Sequence, residues 1–379
     1  VIKSLIHQQK GNPNVAIQAT SVQDMYNKMR EKLADVVPDV ELQIKAEIAY
    51  EINRLKVEKN AIILGHNYME PALFATIPDY VGDSLMLSRK AAQTNKDIIV
   101  FCGVEFMAET AKILNPNKTV LLPAARAGCS LAEAITAEDV RWLREQYPGV
   151  PVVTYINTYA DVKAESDICV TSGNAVEVVK SLGSDRVIFL PDEYLAKNVA
   201  RETGKEIIIP TRTAALHGHL NGGVNGTMQS NIELTSPADF QMVGWHGRCE
   251  VHEKFTVSDI QAVRAQFPDV VIVSHPECSP EVVAASDFAG STQAMINFVE
   301  QSSAARYLVL TECSMGDNIA AANPHKEMLR LCSVRCPHMN QITMEDTLAS
   351  LRLNQYEIEV PEDVRVRALQ AVERMLAFG

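Results

Sequence analysis

The chain has 379 residues, 47% of them hydrophobic and 22% charged, with a formal net charge of −12 at pH 7. That length allows two or three cores, while the acidic balance argues against nucleic acid as the main partner. No run approaches the ~18 apolar residues of a membrane span, which argues against a membrane protein.

The chain opens Val1-Ile2-Lys3, which does not read as a secretory signal, and the missing initiator Met suggests a trimmed start. Eight cysteines are too sparse for a disulfide scaffold of this length. They point to a reducing, cytoplasmic setting in which any special cysteine holds metal or does chemistry. Residues 1–40 have no clear period and are expected to pack on the body as an extension. From Glu41 to Lys59, Leu42, Ile44, Ile48, Ile52 and Leu55 recur at helical spacing. A short apolar run, 61–64, then ends in Gly65-His66-Asn67-Tyr68. Strands follow at 97–101 and 120–123, with a helix over 105–114 between them. A second group has strands at 151–157, 168–172 and 187–190, and a third at 270–277, 287–292 and 307–312. Short apolar strands alternating with helices predict parallel sheets covered on both faces. After Asp346 come a helix to Leu353, a strand 356–360 and a last helix, expected to return to the first unit.

One segment occurs three times. Cys129, Cys249 and Cys336 are each followed, after six residues, by Thr-x-x-Asp, the first two copies 120 residues apart and the last two 87 apart. Thr136, Thr256 and Thr343 are expected helix N-caps with Asp at N3, a variant of the capping box. Each cysteine therefore sits in a loop ahead of a capped helix, and a shared register at this period argues for an internal repeat. The implied fold is three pseudo-threefold-related α/β/α units with short parallel sheets and the site at their junction. The first unit spans 41–145, joined by the C-terminal 337–379; the second spans 146–248 with a loop insertion at 211–245; the third spans 249–336. The insertion holds His217-x-His219 in a Gly- and Asn-rich run, where exposed histidines are the ordinary reading and a metal site the alternative.

Three scattered thiols suit an iron–sulfur cluster that leaves one iron without a protein ligand; a zinc site and plain structural thiols are the alternatives. Cys102, Cys169, Cys278, Cys313 and Cys332 are expected to be buried, although Cys332 is close enough to Cys336 to be an alternative ligand. Strand ends contribute His66, Tyr68, Tyr155, Asn157, His275 and Glu277. In an extended segment, period two would put His275 and Glu277 on one face. Ser84, Thr171-Ser172 and Ser291-Thr292 open helices, whose free N–H groups favour carboxylate or phosphate. Together these groups fit a small polyanion.

From His66-Asn-Tyr68 and Val81-Gly-Asp-Ser84 onward, the sequence resembles the quinolinate synthase family. The likeness continues through 103–110, Lys112-Ile-Leu-Asn-Pro116, 171–176, His275-Pro-Glu-Cys278 and Gly290-Ser-Thr292, covering roughly residues 45–375. It implies a [4Fe–4S] cluster on Cys129, Cys249 and Cys336, and condensation of iminoaspartate with dihydroxyacetone phosphate to quinolinate. It assigns substrate binding to His66, Ser84, Tyr155, Asn157, Ser172, Ser291 and Thr292, acid–base roles to Tyr68, His275 and Glu277, and a substrate-facing role to His252. It also suggests functional coupling to an aspartate-oxidising enzyme. The 211–245 segment is longer than the family's short link to the second cysteine.

Overall fold

The computed structural model describes residues 16–212, 232–233, 240–329, 331 and 334–378. Among these, three parallel sheets lie between helices. The first is built from β1 (Ala61–His66), β2 (Tyr80–Gly82), β3 (Ile98–Cys102) and β4 (Thr119–Leu121) in the order β2-β1-β3-β4. The second takes β5 (Val152–Tyr155), β6 (Ile168–Val170), β7 (Val187–Leu190) and β8 (Ile207–Ile208). A short antiparallel pair, β9 (Thr211–Arg212) and β10 (Ile232–Glu233), stands apart, and β11 (Met242–Val243) returns to give the order β6-β5-β7-β11-β8. The third sheet is β13-β12-β14-β15, from β12 (Val271–Ser274), β13 (Phe288–Ala289), β14 (Arg306–Leu310) and β15 (Glu327–Leu329). Each sheet therefore has more strands than the three read from the sequence, the additions being short: β2, β8 and β15 at edges and β11 between β7 and β8.

Helices precede and link the strands: α1 (Val22–Leu33), α2 (Asp39–Glu58), α3 (Pro71–Phe74), α4 (Ser84–Gln93) and α5 (Glu105–Leu114) around the first sheet. The second has α6 (Ala137–Gln146), α7 (Ala160–Ala164), α8 (Ala175–Ser181) and α9 (Glu193–Thr203). The third has α10 (Val257–Gln266), α11 (Pro280–Ala285), α12 (Thr292–Gln301) and α13 (Cys313–Ala322), and α14 (Met344–Leu353) and α15 (Glu362–Leu376) end the chain. Strands β1, β5 and β7 are buried at every position, as covered parallel strands must be. No helix among the described residues is long and apolar enough to cross a membrane.

The repeat extends to charged side chains. Asp79, Asp167 and Asp287 each precede the second strand of their sheet. Each carboxylate accepts an N–H of the first strand, at Ile63 (2.9 Å), Val152 (2.7 Å) and Ile272 (2.8 Å). Each is also paired with a cation from the helix before that strand: Lys56, Arg144 and Arg264. The helix N-caps repeat as well. Thr136 and Thr256 form full capping boxes with Asp139 and Asp259, and Thr343 accepts from Asp346 N–H.

Several expectations are corrected. The first forty residues are not periodless: Met25, Met29 and Leu33 form a buried stripe on α1, capped by Ser21. Ile44 is 61% exposed, so the apolar face of α2 runs through Leu42, Ala46, Ala49 and Ile52 instead. The 211–245 segment is not a loop throughout, because β11 adds to the second sheet and Phe240 and Trp245 are buried. Its His217 and His219 lie outside the described residues, as does Cys332. Residues 356–360 pair with β4 only through a bridge at Glu357, a Pro at 361 ending the segment. Of the tail, α14 packs on α2 and β3, while α15 packs on α5 and, across the boundary, on α7 and β6 of the second sheet.

Thr256→Ala is expected to lower unfolding stability by about 1 kcal/mol in urea melts, the ordinary cost of losing such a cap. Asp346→Ala should cost less than Asp259→Ala, since only Asp259 also accepts the N-cap backbone N–H.

Candidate functional site

The C-terminal ends of the three sheets point at one cavity. It is lined by His66 and Tyr68 after β1, Tyr155 and Asn157 after β5, and His275 and Glu277 after β12, together with Ser84, Ser172, His252 and Thr292. Cys129, Cys249 and Cys336 line the same cavity. Ser291 stands one step back: its hydroxyl caps α12 and donates to Asp83 (3.2 Å), and it faces an adjoining groove.

The three cysteines sit in matching local structure. Each is followed by a short 3-10 turn, and its carbonyl accepts the N–H four residues on, from Glu133, Glu253 and Asn340. Each sulfur receives backbone N–H groups from the second and third residues after it: Leu131 and Ala132, Val251 and His252, His338 and Met339. The loops are tied together. Ser130 donates to Arg248 O (3.2 Å) and accepts from Glu250 N–H (3.3 Å), while His338 pairs with Glu250 (3.1 Å). Burial pushes the Cys129 thiol up to about 12 and Cys336 to about 11, against the pull of those N–H groups. Burial and the nearby Glu277 charge raise Cys249 well above its ordinary value too. Thiolates here therefore require a cation among them. By contrast Cys102, Cys169, Cys278 and Cys313 are buried away from this cavity, as expected.

Glu277 is the electrostatic centre. It is 4% exposed. Burial alone would raise its carboxyl, but hydrogen bonds from His252 and Tyr155 outweigh that and hold it below the usual carboxylate range. Tyr155 donates to Glu277 Oε1 (2.5 Å) and Asn157 Nδ2 lies 3.4 Å from the same oxygen. His252 Nδ1 is 2.7 Å from Glu277 Oε2 and 3.1 Å from Cys249 Sγ. On its other side, His252 Nε2 lies 2.9 Å from Thr311 Oγ1, which is 2.6 Å from the Tyr68 hydroxyl. A continuous chain thus runs Tyr155, Glu277, His252, Thr311, Tyr68. Thr311 had no sequence signal beyond its place after a strand, an ordinary position for a threonine.

The route by which His275 and Glu277 reach the cavity differs from the period-two expectation. Residues 275–278 form a turn closed by Cys278 N–H to His275 O (3.0 Å), and Pro276 within it cannot extend a central strand. The Glu277 N–H points at His275 Nδ1 (3.3 Å), which leaves Nε2–H to donate to Ser172 Oγ (3.1 Å). His66 Nδ1 likewise accepts from Tyr68 N–H (3.2 Å). Both rings are neutral by this bonding, and burial agrees, lowering His66 to about 4 and His275 to about 3. Burial and the Glu277 charge raise the Tyr68 and Tyr155 phenols, keeping both protonated. Ser84 opens α4 under an Asp83 cap, and Thr292 accepts from Asn67 Nδ2 (2.9 Å), which turns its own hydroxyl hydrogen elsewhere. The Thr171-Ser172 segment does not itself open a helix: Asn174 takes the N-cap position, its Oδ1 accepting from Thr171 N–H (2.7 Å).

The sequence pattern of the family described as quinolinate synthetase A protein matches residues 50–377. The chain belongs to that family. Quinolinate synthase 2 of Mesorhizobium japonicum is 48% identical over 92% of this chain and 96% of its own length. Quinolinate synthase of Agrobacterium fabrum is 47% identical over 96% of this chain and 93% of its own, and that of Xylella fastidiosa 49% over 86% of each. Family membership makes the chain an enzyme and agrees with the three-sheet fold.

A histidine held neutral stabilises the fold while the unfolded chain is also neutral. For His66 that contribution is full above the ordinary value of 6.5 and is lost as pH falls towards about 4, where only the unfolded chain takes up the proton first. The melting temperature should therefore fall across that window, and less steeply in His66→Gln. Equal slopes in the two proteins would contradict the assignment.

Proposed function

We propose that this enzyme condenses iminoaspartate with dihydroxyacetone phosphate to quinolinate, releasing phosphate and two waters, with a [4Fe–4S] cluster held by Cys129, Cys249 and Cys336. The observation carrying this reading is that three thiols in matching N–H cradles share one cavity with a buried, charged carboxylate. The donor set fits the cluster, because soft thiolates suit iron–sulfur chemistry and N–H groups aimed at sulfur stabilise its negative charge. Three thiolates are one short of full ligation, so the bound cluster supplies an iron open to substrate as a Lewis acid.

The chain's own groups divide the remaining work. Neutral His66, with Ser84, Ser172 and Thr292, donates hydrogen bonds to substrate carboxylate or phosphate oxygens, backed by Ser291 through Asp83. Tyr155 and Asn157 hold Glu277 and offer further polar contact. Glu277 is the base that takes a proton from carbon. His252 and Thr311 connect it to Tyr68, whose phenol donates a proton to the departing hydroxyl. His275 keeps Ser172 and the Glu277 turn in place and completes the acid–base set. In each dehydration the proton and the hydroxide leave as water, and no oxidant is consumed. Iminoaspartate hydrolyses in water, so an aspartate-oxidising enzyme is the expected source of this substrate.

A second reading rests on one observation. Donor atoms of Cys249, His252 and Glu277 lie within 4.8 Å of one another, a grouping that could hold a single cation such as zinc. The two readings part at Cys129 and Cys336. The cluster reading expects Cys129→Ala and Cys336→Ala to lose bound iron as completely as Cys249→Ala, with Cys102→Ala and Cys169→Ala unchanged. The single-ion reading expects metal to survive in the first two. Glu277→Gln is expected to keep its iron while quinolinate formation falls by roughly 10²–10⁴-fold, the range of general acid–base groups. Turnover within a few-fold of wild type in the iron-replete Gln protein would remove Glu277 from the base role.

A further inference from the structure

Glu277 and Tyr68 occupy corresponding places, each two residues past the first residue of a turn that follows the first strand of a sheet. Each turn is gripped from the neighbouring sheet by one buried asparagine. Asn198, on α9, donates to Pro276 O (2.9 Å) and Cys278 O (3.1 Å), the carbonyls on either side of Glu277. Asn318, on α13, donates to Asn67 O (3.1 Å) and Met69 O (2.9 Å), the carbonyls on either side of Tyr68. Both are the sixth residue of their helix, and they lie 120 residues apart, the period of the repeat. We propose that Asn198 and Asn318 are positioning residues, each reaching across a boundary between sheets to fix the turn that aims Glu277 or Tyr68 into the central cavity.

Packing alone does not account for them. Both residues are buried, and the amide oxygen of each is buried without a hydrogen-bond partner, a loss that a leucine of similar size would avoid. What leucine lacks is the pair of amide hydrogens spanning two carbonyls. The third turn, which carries Asn157, is held differently. Thr110, sixth in α5, donates to Phe106 O in its own helix. Its neighbour Glu109 makes the crossing by accepting Ala160 N–H (2.9 Å), and Lys163 donates to Thr158 O. The two-carbonyl grip is thus confined to the turns bearing the two proton-transfer groups.

This inference rests on the acid–base roles given above to Glu277 and Tyr68. The test uses the full-length, anaerobically purified, iron-loaded enzyme with Asn198→Leu and Asn318→Leu. Iron content should match wild type and KM should change by no more than about threefold, while kcat falls about 10–100-fold, as small misplacements of reacting groups do. On a Glu277→Gln background, Asn198→Leu should lower turnover by less than about threefold more, because coupled sites are not additive. Asn318→Leu should behave likewise on Tyr68→Phe. The proposal is overturned if kcat stays within about threefold of wild type, if the loss follows lost iron, or if the effects multiply in full. If Glu277→Gln and Tyr68→Phe themselves keep wild-type turnover, the acid–base reading has failed and the positioning claim falls with it. That result is distinct from active Asn variants beside inactive Glu277 and Tyr68 variants. Should the Leu variants not fold, Asn198→Ala and Asn318→Ala, which admit water to the carbonyls, are judged by the same criteria. Failure of these to fold as well would make the two residues structural and overturn the proposal.

Discussion

A carboxylate kept charged where water scarcely reaches is the constraint on which the centre of this enzyme depends. Burying an isolated carboxylate ion is prohibitive unless it is paired and hydrogen-bonded. Glu277 meets that condition only through groups from different parts of the chain: Tyr155 and Asn157 beyond β5, and His252 in the turn after Cys249. The charge can therefore be buried only when the sheets have come together. The same groups that stabilise it connect it to Tyr68, so the means of burying Glu277 and its hydrogen-bonded link to Tyr68 are one network.

The repeat supplies the geometry for that convergence. In a parallel sheet the C-terminal strand ends are where polar groups gather, and three sheets with equivalent first strands bring three such ends to one junction. The equivalence is held by ordinary means: Asp79, Asp167 and Asp287 fix the edges of the first strands, and threonine caps fix the helices behind the cysteine loops. Each cysteine then stands at the same point of the same turn. Three sulfurs in identical N–H cradles follow from repetition of one local fold.

Much of this was legible because it is periodic or local. Helix α5 and strand β7 fall where their apolar spacing puts them, and the Cys–Thr–Asp register marks three equivalent loops without any coordinates. Helix α1 had its signal too, in Ser21 before Met25, Met29 and Leu33, but a twelve-residue stripe within a polar extension is easily passed over. What the sequence could not reveal was contact across sheets. Thr311, Asn198 and Asn318 are common residue types in common positions, and their partners lie 59 to 251 residues away. Strand β11 was hidden for a different reason. Two residues suffice for it because β7 and β8 already provide both hydrogen-bonding neighbours. The Pro276 turn shows the limit of strand periodicity, since His275 and Glu277 share the cavity through a turn rather than through alternation.

In the proposed function, the three equivalent thiols bind one cluster facing the Glu277 network. The decisive measurement is of iron, acid-labile sulfide and zinc in the anaerobically purified wild-type enzyme. About four iron and four sulfide per chain, the content of one [4Fe–4S] cluster, are expected, with negligible zinc. A single zinc per chain without sulfide would contradict cluster binding.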